Sequence, residues 1–236
     1  MYCNKKILAI IPARGGSKGI PKKNIIKIKG KPLLQYTIDA AIKSKYIDEI
    51  HVSTDDDDIA EVAKYLGVNV LRKRPIELAQ DNSKSIEVLL DVINYYKDIQ
   101  QHFDYVLLLQ PTQPLRQSFH IDEAIEKIIN LSAESLVSVS LVDNHPILVR
   151  QINKEGKLVS ILQQTSTVRR QDFDSYYVVN GAIYLNKIDT INARTSLNDN
   201  VIPYIMDKKF DIDIDEYFDV NVFELKLEHL EKNSLI

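Results

Sequence analysis

Apolar residues recur along the chain in two alternating rhythms. Short β-branched runs occupy Ile7 to Ile11, Ile50 to Ser53, Val68 to Leu71, Tyr105 to Leu109, Leu136 to Val142, Ala182 to Leu185 and Val201 to Met206, and each reads as a strand. Between them, apolar residues return at three- and four-residue spacing: Leu34, Ile38 and Ala41; Ile59, Val62, Ala63 and Leu66; Ile86, Leu89, Leu90 and Ile93; Ile121, Ala124, Ile125 and Ile128. Phe223, Leu227 and Leu230 repeat the spacing near the end. Such spacing lays an apolar stripe along one face of a helix. Strands alternating with helices predict an α/β fold with a mostly parallel sheet covered by helices. From His145 to Tyr177 the helical rhythm stops, and turn formers, basic residues and alternating strands take over. This segment, 145–177, is expected to leave the sheet as an inserted arm.

Composition keeps this picture and removes others. With 236 residues, 44% hydrophobic and 27% charged, the chain has the balance of one globular domain spanning 1–236. A formal charge of -3 gives no global basic field, so nucleic acid is not an expected partner. Apolar runs such as Ile7 to Pro12 and Val106 to Leu109 fall far short of the ~20 residues that span a bilayer, so no membrane partner is expected. The stretch after Lys5 and Lys6 ends at Pro12 and Arg14, too short for a secretory leader, which points to the cytoplasm. Cys3, the lone cysteine, excludes an intrachain disulfide, and the five histidines lack zinc-site spacing.

Three of the seven glycines stand together in Ile11-Pro12-Ala13-Arg14-Gly15-Gly16-Ser17-Lys18-Gly19-Ile20-Pro21-Lys22-Lys23-Asn24, directly after the first strand. Glycines let consecutive amides converge on one anion, and Arg14, Lys18 and Lys23 add positive charge, a combination suited to a polyphosphate. The spacing matches neither a Walker loop nor a dinucleotide Gly-x-Gly-x-x-Gly turn. Arginine is scarce, eight residues against 22 lysines, and five of the eight (14, 74, 116, 169 and 170) fall in candidate motifs. Its planar fork suits phosphate and carboxylate.

Gln110 follows the strand Tyr105 to Leu109, at the end where open α/β sheets bind ligands. Pro111 and Pro114 stiffen the loop that would present Gln110 and Arg116. Asp211, Asp213 and Asp215 alternate with Ile212 and Ile214, so a strand there would put three carboxylates on one face, where magnesium could join them to substrate phosphate. In the run Asp55 to Asp58, either Asp57 or Asp58 suits the cap of the helix beginning near Ile59.

These segments in order, IPARGGSKGIPKKN (11–24), VSTDD (52–56), RPIELAQD (74–81), LLQPTQPLR (108–116), RRQD (169–172), NGAIY (180–184) and DIDID (211–215), resemble the acylneuraminate cytidylyltransferases over nearly the whole chain. That family includes the synthetases of CMP-sialic, CMP-legionaminic and CMP-pseudaminic acids. The resemblance implies a Rossmann-like nucleotidyltransferase sheet with a small dimerisation arm, a homodimer, and a reaction in which CTP and a nine-carbon 2-keto sugar acid give the CMP-sugar and pyrophosphate. It implies Arg14, Ser17, Lys18, Asn24, Arg74 and Ser85 at the nucleotide, and Lys23 stabilising charge on the α-phosphate. Gln110, Arg170, Asn180 and Tyr184 fall to the sugar, and Asp213 and Asp215 to a catalytic Mg2+ or Mn2+.

By their residue types alone, Arg74 also suits a helix cap or a basic patch with Arg72 and Lys73, and Tyr184 a core aromatic with a satisfied hydroxyl. The chain departs from the family at Gln113, where serine is usual. It also has Val178 where many sialic acid enzymes have arginine, and Ser196 and Leu197 near the place of a paired phenylalanine. Other functions compatible with the motifs are a nucleotidyltransferase for 3-deoxy-manno-octulosonate and a nucleotide-binding regulator without turnover.

Overall fold

The chain runs through β1 (Ile7–Pro12), a short hairpin of β2 (Lys27–Ile28) and β3 (Lys31–Pro32), α1 (Leu33–Ile42), β4 (Glu49–Ser53), α2 (Asp57–Tyr65) and α3 (Ser85–Asp98). It continues through β5 (Tyr105–Leu108), α4 (Ser118–Asn130), β6 (Ser135–Leu141), β7 (Arg150–Ile152), β8 (Leu158–Ser160), β9 (Tyr177–Lys187), β10 (Ile202–Ile205) and α5 (Tyr217–Lys232). The computed structural model describes residues 1–162 and 174–236.

Six strands form one sheet in the order β10-β6-β9-β5-β1-β4. β1 pairs in parallel with β4 and β5, and β10 pairs in parallel with β6. β9 alone runs against its neighbours, and it joins the two parallel groups. The mostly parallel α/β architecture expected from the alternation is therefore present. Successive residues of β1 supply opposite faces: Ile7, Ala9 and Ile11 pack with α1, α2, α4 and α5, whereas Leu8 and Ile10 pack with α3. Coverage on both faces explains why these strands read as continuous apolar runs.

Chain order reverses around β1. From β1 the chain crosses to the edge at β4, then returns to the other side of β1 as β5. The carboxyl ends of β1 and β5 thus open a crevice at a topological switch point, where ligands of open α/β sheets bind.

Three expectations are corrected. Val68 to Leu71 is not a strand: the Val68 amide closes the end of α2 on Ala63 O at 3.0 Å, and β4 remains the sheet edge. Residues 211–215 keep the alternation, with Ile214 buried between exposed Asp213 and Asp215, but lie outside any sheet. Their ties run to the loop after β5, from Ile214 N to Thr112 O (2.9 Å) and from Ile212 N to Gln113 Oε1 (3.4 Å). The residue capping α2 is Asp56, which accepts from Ile59 N at 3.1 Å, so Asp57 and Asp58 become first-turn acids.

After His145 the described residues leave the six-stranded sheet. β7 and β8 form a separate two-stranded ribbon, and the chain rejoins the sheet at Tyr177. Among the described residues no helix is long and apolar enough to cross a membrane.

Candidate active site

The glycine-rich loop leaves β1 tied down on three sides. Ala13 N donates to Ser53 O (2.9 Å), Gly15 N to the Asp55 carboxylate (3.0 Å), and Asn24 Nδ2 to Arg14 O (3.0 Å). The amides of residues 16–19 have no hydrogen-bond partner among the described residues. Gly19 lies against the acidic segment so closely that a Cβ there would stand 2.2 Å from the Asp215 carbonyl oxygen. Contact between loop and acids therefore requires glycine at this position.

Lys23 fastens the same junction. Its Nζ donates to Ile214 O at 2.7 Å and to Asp215 Oδ1 at 2.9 Å, and its side chain is only 13% exposed. Arg14 and Lys18 instead converge on one carboxylate: Arg14 Nη2 lies 2.8 Å from Asp81 Oδ1, and Lys18 Nζ 2.7 Å from Asp81 Oδ2.

A cleft opens over this loop, lined by Arg14, Ser17, Lys23, Asn24, Arg74, Ser85 and Gln110. Seven of the expected site residues thus meet in one place, brought there by the ends of β1 and β5 and the start of α3. Lys18 stands beside the cleft, joined to it by Asp81. Ser85 is the first residue of α3, so the positive end of that helix also faces the cavity.

A second cavity adjoins the first through shared Ser83, Ser85 and Gln110. Tyr184 and the loop 193–198 form its other walls. Gln110 stands at the junction because β9 makes room for it. Gly181 adopts φ +77°, beside a shift in the β6–β9 register, and a Cβ there would lie 2.4 Å from Gln110 Oε1.

The ring of Tyr184 is packed in the α3-side core and its hydroxyl donates to Asn198 Oδ1 at 3.1 Å, as for a core aromatic with a satisfied hydroxyl, while the residue also lines the second cavity. Burial, with a smaller contribution from Asp213, raises its pKa. Asn180 lines neither cavity. Its amide donates to Ser140 Oγ and accepts from Ser138 Oγ and Ala182 N, a buried network between β6 and β9. Arg170 lies outside the described residues.

Two arginines take other posts than a free cation would. Arg74 is buried and so not part of a surface patch: Nε donates to Ser53 Oγ (3.0 Å) and Nη2 to Ser53 O (2.6 Å), bracing the end of β4 under the cleft, while Nη1 reaches Leu78 O (3.5 Å) in the short 3-10 turn Ile76–Ala79. Burial lowers its pKa to about 10, against the pull of Asp55. Arg116 points inward. It donates to Ala182 O (2.8 Å), Gln110 O (3.3 Å) and Thr37 Oγ1 (2.7 Å), so it clamps the Gln110 loop to β9 and α1. Full burial lowers its pKa to about 9.

The acids beside Lys23 are differently placed. Asp213 keeps contact with water, yet the surrounding protein raises its pKa by desolvation, opposed by a Thr112 hydrogen bond and reinforced by Asp215. Relief of that desolvated, repelled carboxylate is what a cation would supply. No group of three or more His, Cys, Asp or Glu side chains among the described residues could hold a metal by itself. Two carboxylates fit magnesium, which takes its remaining oxygens from substrate phosphate and water.

Two residues of the site escaped the reading of the sequence. Asp81 sits at the end of the RPIELAQD segment, where nothing in its type distinguishes it from a surface acid. Arg194 lines the second cavity; its one signal was scarcity, as one of three arginines outside the recognised motifs.

The sequence profile described as cytidylyltransferase matches residues 8–233. An N-acylneuraminate cytidylyltransferase of Streptococcus agalactiae serotype V is 38% identical over 213 residues, covering 89% of this chain and 50% of that protein. The CMP-N,N'-diacetyllegionaminic acid synthase of Legionella pneumophila is 37% identical over 239 residues, 98% of this chain and 100% of the relative. The chain spans about half the length of the N-acylneuraminate cytidylyltransferases it matches. Among solved structures, a CMP:2-keto-3-deoxy-manno-octonic acid synthetase complexed with CTP superposes with a TM-score of 0.71 at 16% identity, covering 95% of this chain and 99% of that one. A 4-diphosphocytidyl-2C-methyl-D-erythritol synthase gives 0.69 at 15%, with the same coverage. These two likenesses establish the nucleotidyltransferase fold.

Proposed function

We propose, given that the chain belongs to the cytidylyltransferase family, that it transfers CMP from CTP to the anomeric hydroxyl of a nine-carbon 2-keto sugar acid of the sialic, legionaminic or pseudaminic type. The hydroxyl oxygen bonds to the α-phosphorus as its proton passes to water, the bond from that phosphorus to the bridging oxygen breaks, and pyrophosphate leaves with the electron pair. Catalysis of such a displacement rests on positioning and on fixed charge.

The observation that carries this reading is the pair of confluent cavities, one edged by the cationic loop and the other by Tyr184 and the loop 193–198, meeting at Gln110. CTP would lie in the first, with its triphosphate on Arg14, Ser17, Lys18 and Asn24 and with Arg74 and Ser85 along the cleft. Lys23, held in place by Ile214 O, would face the α-phosphate. The sugar acid would fill the second cavity against Gln110 and Tyr184, with Arg170 approaching the substrate as the family pattern suggests; Asn180, buried between β6 and β9, would act on it only through the strands it joins. Asp213 and Asp215 would hold Mg2+ or Mn2+, which when bound supplies positive charge to phosphate oxygens. A CTP-dependent reaction suits the cytoplasm, and the arm suits a homodimer.

Pyrophosphate release measured with CTP against neuraminic, legionaminic, pseudaminic and octulosonic acids tests the reading. Turnover with one of the nine-carbon acids is expected. Turnover confined to the octulosonic acid, or CTP binding with no acceptor used, would replace it.

A further inference from the structure

The loop cations are not equally committed. Lys23 is enclosed, and a backbone carbonyl and Asp215 hold it. Arg14 and Lys18 share the carboxylate of Asp81, one oxygen each, at 2.8 and 2.7 Å. Those two pairs are open to water: Asp81 is 50% exposed at its side chain and Lys18 80%. Exposed pairs of this kind are weak and exchange readily. The turn carrying Asp81 has its own supports, with Gln80 N donating to Ser83 Oγ and Ser83 Oγ to Glu77 O. Asp81 is therefore presented to the cations by a separate segment, and the loop does not need it to reach its own ties at Ser53, Asp55 and Asn24.

A carboxylate bridging two cations at the edge of this cleft does what a phosphate oxygen would do there. We propose that Asp81 is an internal counter-ion that competes with polyphosphate for Arg14 and Lys18, and so acts as a positioning residue that promotes pyrophosphate release. The proposal rests on the nucleotidyl-transfer reading above. CTP, carrying more charge than one carboxylate and held also by the rest of the cleft, displaces Asp81 on binding. Pyrophosphate, cut from the nucleoside, has lost those additional contacts, and Asp81 returns to the two cations as it leaves. As an aspartate, Asp81 is ionised at neutral pH whether or not it is paired, so the competing charge is always present.

The test is calorimetric titration of wild type, Asp81→Asn and Asp81→Glu with pyrophosphate and with CTP at fixed magnesium, beside pyrophosphate product inhibition. Asp81→Asn is expected to bind pyrophosphate roughly two- to fivefold more tightly, the scale of an exposed charge pair. Its inhibition constant should fall equally, while KM for the sugar acid stays unchanged. Asp81→Glu, which keeps the charge, should stay near wild type. Pyrophosphate binding that is equal or weaker in Asp81→Asn overturns the proposal, because a brace would lose affinity when removed. Should Asp81→Asn fail to fold, Asp81→Ser is read in the same way, and loss of folding in both uncharged variants makes Asp81 a structural brace, which also overturns it. A wild-type protein that binds neither CTP nor pyrophosphate defeats the nucleotidyl-transfer reading itself, a result distinct from altered affinity in the variants.

Discussion

Lys23 is held by two acceptors on the segment that also carries Asp213, so its charge is fixed before any substrate arrives. Fixed charge is worth most where charge develops during reaction. Lys23→Ala is expected to reduce kcat by roughly 100-fold or more while changing CTP affinity far less, and Asp215→Asn should behave likewise. Near wild-type kcat for Asp215→Asn at limiting magnesium would remove it from the metal site. Gln110 stands where the two cavities meet; with the sugar acid in the second cavity as proposed, Gln110→Ala should raise KM for the sugar acid more than it weakens CTP binding, and equal loss of both affinities in titrations would abolish that division. At this scale the sequence was legible where charge and backbone freedom coincide, as in the loop 11–24. It was illegible where an arginine turns inward, since Arg116 and an exposed arginine are the same letter. Only the carbonyls of Gln110 and Ala182 and the hydroxyl of Thr37 distinguish them.

Elements meet the site through their irregularities. β9 was visible as the short run Ala182 to Leu185, but it extends over Tyr177–Lys187, because the polar and glycine residues at its start pair across a register shift that alternation cannot anticipate. Val68 and Val70 carry strand-like side chains, yet the Val68 amide is already spent on α2, so propensity lost to a helix end. The irregularity in β9 has a measurable consequence. Gly181→Ala puts a side chain at φ +77°, which costs about 1–2 kcal/mol, and pushes Gln110 Oε1 from its place. A fall in melting temperature of roughly 2–8 °C is expected for a chain of this size, together with the weaker sugar use of Gln110→Ala. An unchanged KM for the sugar acid would show that Gln110 does not need this seat.

The whole molecule combines an acid-sensitive core with an unfinished surface. Burial depresses the pKa of His51 to about 4 and of His120 to about 3, from an ordinary 6.5. Both rings stay neutral in the fold while the unfolded chain takes up protons near 6.5. Stability from these sites is therefore complete above that value and declines as pH falls from 6.5 towards 4, by about 1.4 kcal/mol per unit for each histidine. Denaturant midpoints that do not fall across this interval in wild type, relative to a His51→Gln variant, would refute the linkage for His51. The described part of the arm exposes apolar residues, and the place where the chain leaves the sheet was marked in the sequence because the helical rhythm stops. Which surface covers the arm was not plain, since a lone chain contains no register for a partner. A two-stranded ribbon such as β7–β8 is marginal by itself, and its cross-strand pair Ile152 and Leu158 is 67% and 69% exposed. Leu141, Tyr177 and Val178 extend the apolar surface onto the adjoining ends of β6 and β9. A patch of this kind marks an interaction surface, and two-fold pairing of identical copies is the commonest way to cover one. The expected species in light scattering at micromolar concentration is therefore twice 27.0 kDa, and Ile152→Asp with Leu158→Asp should shift it towards the monomer and impair sugar use more than CTP binding. A wild-type protein that scatters as 27.0 kDa with full activity would mean that the arm folds on its own subunit and that each cleft is complete alone.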